Sequence, residues 1–381
     1  MTRDLTRAVG EFAELHEDLH AVARHVLKAS TPGTIQDWDP IVSSGWTGLD
    51  VATEFDGAGA TFAEVAVVLR EMGRALTHSP YASVTAAANA LTACPAGAAR
   101  DDLLRGIVAG TALPVVALPG AGSTAAREAR CGERIGAVAF TLERNGDRTR
   151  ITGTAEFLAD ADAATTLLLP ARDPAHPDAT VLMVVRPDTP GITVTARPCL
   201  DDTRGFGDVV ADGVVDPGSV WEWGSGVFDP VEVLLRRQAL CTAIDSLGLA
   251  EAALAETVSY VSTREQFGRP VGSFQAVKHA CADMLVRLRV AGQLVDAAVA
   301  ADVGGDPAAW SAIAHAKSYT CDAAVDIAGK AIQLHGGMGY TWESGVHRYL
   351  ERAALNRTLH GSPAEHRAAV ARRYRDPDFL P

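Results

Sequence analysis

Two stretches decide the reading of this chain: REQFGRPVGSFQ at residues 264–275 and QLHGGMGY at 333–340. Each interrupts a helical period of apolar residues that otherwise runs from Asp229-Pro230 to about Arg375. Gly268, Pro270 and Gly272 break the first stretch, and Gly336, Gly337 and Gly339 break the second, because glycine frees the backbone and proline lacks the N–H a helix interior needs. A third break falls at Gly304-Gly305-Asp306-Pro307. The breaks frame apolar segments of about 30 residues, Ser273–Val303 and Ala308–His335, which predict long antiparallel helices in a bundle. Asp229 before Pro230 supplies an N-cap and a first-turn proline for the helix that opens it.

Upstream, the pattern changes. From about Leu113 to Val220 short β-branched runs, Pro114–Leu118, Ile151–Thr154, Ala164–Leu169, Val181–Val185 and Ile192–Val194, alternate with the turn clusters NGD (145–147), RDPAHPD (172–178) and RPDTPG (186–191). This predicts an all-β middle domain closing into a small barrel or sandwich. No segment between the strands is long enough for a crossover helix and no GxGxxG occurs, which argues against nicotinamide binding on a Rossmann unit. Further upstream the helical period returns in Leu15, Leu19, Val22, Val26 and in Phe62, Val65, Val68, Leu69, Met72. The Gly-rich stretch 45–61 precedes a Thr61–Glu64 capping box; it has no phosphate-binding spacing and reads as a structural loop.

Composition narrows the function. With 34 Lys+Arg against 47 Asp+Glu the 381-residue chain carries a net charge of −13, which repels nucleic acid and anionic membranes. Cys94, Cys131, Cys199, Cys241, Cys281 and Cys321 form no CxxC pair, so neither a zinc site nor a disulfide framework is expected. His16 and His20 lie four apart without a third ligand, and Ser123 in GAGST lacks the GxSxG elbow, so metal binding and serine hydrolysis are disfavoured. The charge-free stretches 75–99 and 106–126 contain prolines, hydroxyls and glycines that argue against membrane spans. MTRDLTRAVGEF shows no apolar signal core, and a cytoplasmic location is expected.

Helices, a small β-domain and a helical bundle, in that order, resemble the acyl-CoA dehydrogenase family. The likeness rests on REQFGRPVGSFQ, on Ala-Asp-Met at 282–284, on Gln333 with the Gly336-Gly337 loop, and on GRALTHSP (73–80), LPGAGS (118–123) and DDTRGFGDVVADGVVDP (201–217). It implies an α+β fold of three domains: an N-terminal helical domain (1–112), a middle β-barrel (113–226) and a C-terminal four-helix bundle (227–381). It also implies FAD as cofactor, an acyl-CoA or acyl-carrier thioester as substrate, assembly into a homo- or hetero-tetramer with a homologue, and electron-transfer flavoprotein as acceptor. In the family a base removes a Cα proton while hydride leaves Cβ for the flavin.

By the same resemblance Arg264, Phe267, Gln275, Gln333, Gly336 and Gly337 complete the flavin site of a neighbouring subunit. Ser123 and Phe157 serve the chain's own flavin. Phe157 stands where the family has Trp and Ala159 where it has a hydroxyl, so a ring hydrogen bond is lost. His360, in LHGSP (359–363), occupies the place of the family's catalytic Glu, and the second family location for that Glu falls on or near Gln238. His360 has two readings. Imidazole titrates near neutrality and is a competent general base; it also fills the space of a lost carboxylate in a subunit that completes a partner's site without chemistry of its own. A third possibility is a redox-neutral dehydration or isomerisation of a thioester.

Overall fold

The computed structural model describes residues 13–28, 38–118, 138–145, 148–174, 176–224 and 229–375. In chain order its helices are α1 (Ala13–Leu27), α2 (Trp38–Ser43), α3 (Phe62–Arg74), α4 (Tyr81–Thr92), α5 (Ala98–Val108), α6 (Pro230–Thr263), α7 (Gln275–Val303), α8 (Ala309–His335), α9 (Val346–Thr358) and α10 (Pro363–Arg373). Its strands are β1 (Pro114–Val116), β2 (Phe140–Asn145), β3 (Arg148–Ala159), β4 (Thr166–Asp173), β5 (His176–Val185), β6 (Ile192–Ala196), β7 (Phe206–Val215), β8 (Val220–Trp223), and the two-residue pair β9 (Glu265–Gln266) and β10 (Arg269–Pro270). The chain condenses into two units, one of residues 1–34, 62–77 and 239–381, the other of 35–61 and 78–238. The helical first third is therefore shared between them.

In the second unit an eight-stranded sheet runs β6-β7-β3-β2-β4-β5-β8, with β1 pairing parallel to β4. Among the described residues the pairings run from β6 at one end to β8 at the other, the β-sheet middle region that the sequence predicts. β4 explains why the turn-and-run pattern was readable: side chains alternate across a strand, and β4 is buried on both faces. Leu167 and Leu169 join Phe140, Leu142, Ile151 and Met183 in one apolar cluster. Leu168 joins Leu182, Trp223 and the α4–α5 residues Val84, Leu91, Leu104 and Ile107 in another. The Trp223 indole donates to the Ala90 carbonyl at 2.9 Å, so its buried N–H is satisfied. Each such aliphatic burial stabilises by about 1.5–3 kcal/mol.

The first unit gathers α3 with the C-terminal helices. Phe62, Val65, Val68, Leu69 and Met72 are all buried, as their spacing predicts. Gly248 of α6 meets α3 closely: a Cβ there would lie 1.9 Å from the Arg70 carbonyl oxygen, so a larger residue would force the helices apart. Small residues set the other contacts too, with Ala250 and Ala253 of α6, Ala324, Ala328 and Ala331 of α8 and Ala353 of α9 in one core. The stripe read on α1 is displaced. Ala23 and Leu27 are buried, whereas Leu15 and Val22 are 52% and 49% exposed. Polar contacts hold that helix instead: His16 to Glu64 at 2.8 Å, His20 to Glu71 at 2.7 Å, and Arg24 to both Glu71 oxygens. The two histidines are thus hydrogen-bonded to carboxylates, and among the described residues no acid, His or Cys cluster suits a metal ion. No described helix is long and apolar enough to cross a membrane.

Candidate active site

Topology brings the bundle's signature residues to one end. α6 ends near Arg264, α7 begins at Gln275, and α8 returns antiparallel to α7 to finish at His335 beside Gly336-Gly337. Tyr260 of α6 stacks on His335 with ring centroids 4.4 Å apart, locking the α6 and α8 ends together. Arg264, Gln275, Gln333, Gly336 and Gly337 are all exposed there. Gly336 has φ 60° and ψ −135°, a conformation that L side chains avoid, and a Cβ on it would meet no atom within 4 Å. The loop therefore offers bare backbone facing open space.

The break at 265–270 is a tight hairpin. β9 and β10 pair Glu265 with Pro270 and Gln266 with Arg269, which leaves Phe267 and Gly268 as a two-residue turn. Their φ values of 54° and 74° are those that a type I′ turn demands at both central positions. Glycine takes such a φ freely; phenylalanine does so at about 1–3 kcal/mol of strain. Phe267 is 90% exposed at the tip and meets Phe274 edge-on at 6.2 Å. A strained, exposed aromatic beside an exposed guanidinium, two amides and a bare glycine loop suits one face of a dinucleotide's pyrophosphate and rings. On this donor set the bundle end fits FAD.

The half expected from the sheet differs. Phe157 sits at a bulge in β3, where the register with β7 shifts between Ala155 and Leu158. Its φ is 58°, and its N–H donates to Asp208 Oδ1 at 2.9 Å. A bulge re-aims a side chain, and here the ring stacks on Phe206 at 4.2 Å and 8°. One face of Phe157 is thus already used. Ala159 ends the strand with no group able to hydrogen-bond a flavin. Ser123 lies outside the described residues.

His360 sits in the turn between α9 and α10, and its backbone is tied at several points. Its φ is 53°, the left-handed region that a non-glycine residue occupies only when its surroundings hold it there. The His366 ring Nε2 donates to the His360 carbonyl at 3.0 Å. The Lys317 ammonium donates to the Asn356 and Gly361 carbonyls, both at 2.9 Å, spanning the turn from end to end. Ser362 then caps α10 with Glu365 in a capping box. The imidazole Nδ1 lies 2.9 Å from the Thr242 hydroxyl of α6.

Beneath the turn lies a buried polar network. Arg352 of α9 grips both oxygens of Asp245 through Nε at 3.0 Å and Nη2 at 2.5 Å, and Nη1 donates to the Thr77 carbonyl at 2.9 Å. Asn356 Nδ2 donates to Asp245 Oδ2 at 2.6 Å and to the Ser246 hydroxyl at 3.2 Å. Asp245 is thus a structural anchor. Lys317 is fully buried, and desolvation pushes its pKa below the ordinary lysine value of 10.5. Sequence reasoning missed Thr242, Lys317 and the Asp245–Arg352 pair. One signal was available: Lys317 is a lone cation in the apolar face of a long helix, where a charge needs built-in partners.

Comparisons with known proteins place this architecture. Residues 2–111 match the sequence profile described as "Acyl-CoA dehydrogenase, N-terminal domain" and residues 228–375 that of "Acyl-CoA dehydrogenase, C-terminal domain". Acyl-CoA dehydrogenase IpdE2 of Mycolicibacterium smegmatis is 31% identical over 324 residues, covering 84% of this chain and 82% of that protein. Among solved structures, a chain of the ChsE4–ChsE5 complex from Mycobacterium tuberculosis superposes with TM-score 0.81 at 25% identity, covering 95% of this chain and 97% of that one. Butyryl-CoA dehydrogenase from Megasphaera elsdenii has the same fold, with TM-score 0.84 at 22% identity over 95% of this chain and 98% of that one. With its helices, middle sheet and bundle in the matching order, the chain belongs to the acyl-CoA dehydrogenase family of FAD flavoproteins, oxidoreductases acting on the CH–CH group of acyl-CoA.

Proposed function

We propose that this chain dehydrogenates the Cα–Cβ bond of an acyl thioester, with His360 as the base that takes the Cα proton. The observation that carries this reading is the His360 turn: a left-handed residue tied through Lys317 and His366, with its ring anchored on Thr242, in the segment where the family holds its catalytic Glu. So much fixation of one imidazole suits a group that must meet a proton at a set place, because preorganisation is what makes general-base catalysis efficient. FAD, when bound, supplies the two-electron oxidation. Arg264, Gln275, Gln333 and the Gly336-Gly337 backbone hold its phosphates and ring edges from the neighbouring subunit, with Phe267 against the nucleotide, while Phe157 and Ser123 serve the chain's own side. The carrier is coenzyme A or an acyl-carrier protein, and electron-transfer flavoprotein is the acceptor.

Assembly is part of the proposal. The division into residues 1–112, 113–226 and 227–381 makes the bundle the assembly domain, and α7 presents Leu285, Val286 and Val290 at 44%, 63% and 40% exposure. Such a face supports a tetramer in the cytoplasm, formed with copies of this chain or with a homologue.

A second reading has its own observation. The bundle-end set is complete and exposed, whereas Phe157 is stacked on Phe206 and Ala159 offers no donor. That asymmetry suits a non-catalytic subunit of a heteromer that completes a partner's flavin site, and ChsE4–ChsE5 is a solved complex of two differently named chains. Purification of the chain alone separates the two. Yellow protein with stoichiometric FAD that bleaches anaerobically with one of a panel of acyl-CoAs supports the first reading. Colourless folded protein that acquires flavin only with a homologue supports the second.

A further inference from the structure

We infer that Thr242 is a positioning residue that fixes the tautomer of His360, holding the proton on Nδ1 so that Nε2 carries the lone pair. This rests on His360 being the base. A neutral imidazole has one protonated and one bare nitrogen, and the partner of the first decides which nitrogen can accept a proton. The Thr242 hydroxyl lies 2.9 Å from Nδ1 and either donates to it or accepts from it. If it donates, Nε2 bears hydrogen and the ring is a hydrogen-bond donor. If it accepts, Nε2 is basic.

Helix α6 itself points to the second arrangement. Four other hydroxyls on it turn back to the carbonyl one turn earlier: Ser246 to Thr242 at 2.8 Å, Thr257 to Ala253 at 2.7 Å, Ser262 to Val258 at 2.7 Å and Thr263 to Ser259 at 3.2 Å. A threonine inside a helix satisfies its hydroxyl proton in this way. On the same pattern the Thr242 proton turns to its own helix, its oxygen offers the ring a lone pair, and Nδ1 is the donor. Substrate proton then passes to Nε2, the ring becomes a cation with both nitrogens protonated, and Thr242 Oγ1 keeps accepting from Nδ1, so no bond has to rearrange during the step.

The test uses the full-length, flavin-loaded protein labelled with 15N-histidine. Solid-state 15N spectra of the neutral rings are compared between wild type and His360→Asn, so that the vanishing pair of signals belongs to His360. A protonated Nδ1 with a bare Nε2 is expected; a protonated Nε2 with a bare Nδ1 overturns the inference. Kinetics provide a second, independent reading on whichever acyl-CoA bleaches the flavin. Thr242→Val is expected to lower kcat about ten-fold with KM within about two-fold, and Thr242→Ser to restore it, since one hydrogen bond to the reacting group is removed and returned. An unchanged kcat in Thr242→Val rejects a positioning role while leaving His360 as base. Full turnover in His360→Ala rejects the base reading itself, and the inference with it. Should Thr242→Val fail to fold, the wild-type spectrum decides.

Discussion

The two regions proposed to hold a flavin have opposite characters. At the bundle end, Arg264, Gln275, Gln333 and the Gly336-Gly337 loop are exposed, and Phe267 is held outward in a strained turn. At the β3 bulge, Phe157 turns inward onto Phe206, and Ala159 has nothing to donate. On the proposed roles of these residues, the difference teaches that the bundle end offers more polar groups to a flavin than the β3 bulge does.

Ordered from the largest effect, four changes break or sharpen that contrast. His360→Ala should lower turnover by about 10²–10⁴-fold while the visible spectrum of the bound flavin is unchanged, because the proposed base is not among the residues proposed to hold the flavin. Unchanged turnover removes His360 from the chemistry. Arg352→Met leaves the Asp245 carboxylate buried without its cation and should destabilise the chain by about 3–5 kcal/mol, read as the urea midpoint; a loss under about 1 kcal/mol contradicts the structural role given to that network. Arg264→Ala removes a charged partner from the bundle end and should weaken FAD binding by about 1.5–3 kcal/mol, measured by flavin retention on dilution. Ala159→Thr acts on the poorer half and should strengthen retention by about 0.5–1.5 kcal/mol, the net worth of one new hydrogen bond. If Arg264→Ala costs less than Ala159→Thr gains, the ranking of the two halves is wrong.

The α1 contacts add a pH dependence outside the site. Burial raises the pKa of Glu71, but hydrogen bonds from His20 and Arg24 outweigh it and hold the group below its ordinary 4.5. A carboxylate depressed in the folded state stabilises above its unfolded pKa, and that stability fades as pH falls through the folded value. The chain should therefore lose stability below about pH 4.5, and Glu71→Gln should flatten that part of the curve in thermal melts at a series of pH values.

The long helices were legible because their breakers are unambiguous: Gly304 to Pro307 and Gly336 to Gly339 end segments whose bounds the structure reproduces within two residues. The β character of the middle was legible in β4 and β5, whose β-branched and leucine runs are buried on both faces. The strand order of the sheet was not, since it depends on edge pairing, which periodicity does not report. The α1 stripe misled because Leu15 and Val22 mimic a core face while His16, His20 and Arg24 hold the helix. Of the residues named by resemblance, Arg264, Phe267, Gln275, Gln333, Gly336 and Gly337 lie at one bundle end, His360 in one turn and Phe157 at a sheet bulge. What the sequence hid was the set Thr242, Lys317 and Asp245 with Arg352, because their contacts with His360, Asn356, Gly361 and one another span 39 to 118 residues of chain and they look like ordinary helix positions until the helices pack.

The most direct test of the central claim is the anaerobic rate at which an acyl-CoA bleaches the flavin of wild type and of His360→Ala at equal flavin content. Rapid bleaching in wild type, slowed by at least about 100-fold in His360→Ala, is the predicted result. Equal rates in the two proteins, or a wild type that bleaches only after a homologue is added, would contradict a self-sufficient dehydrogenase with His360 as its base.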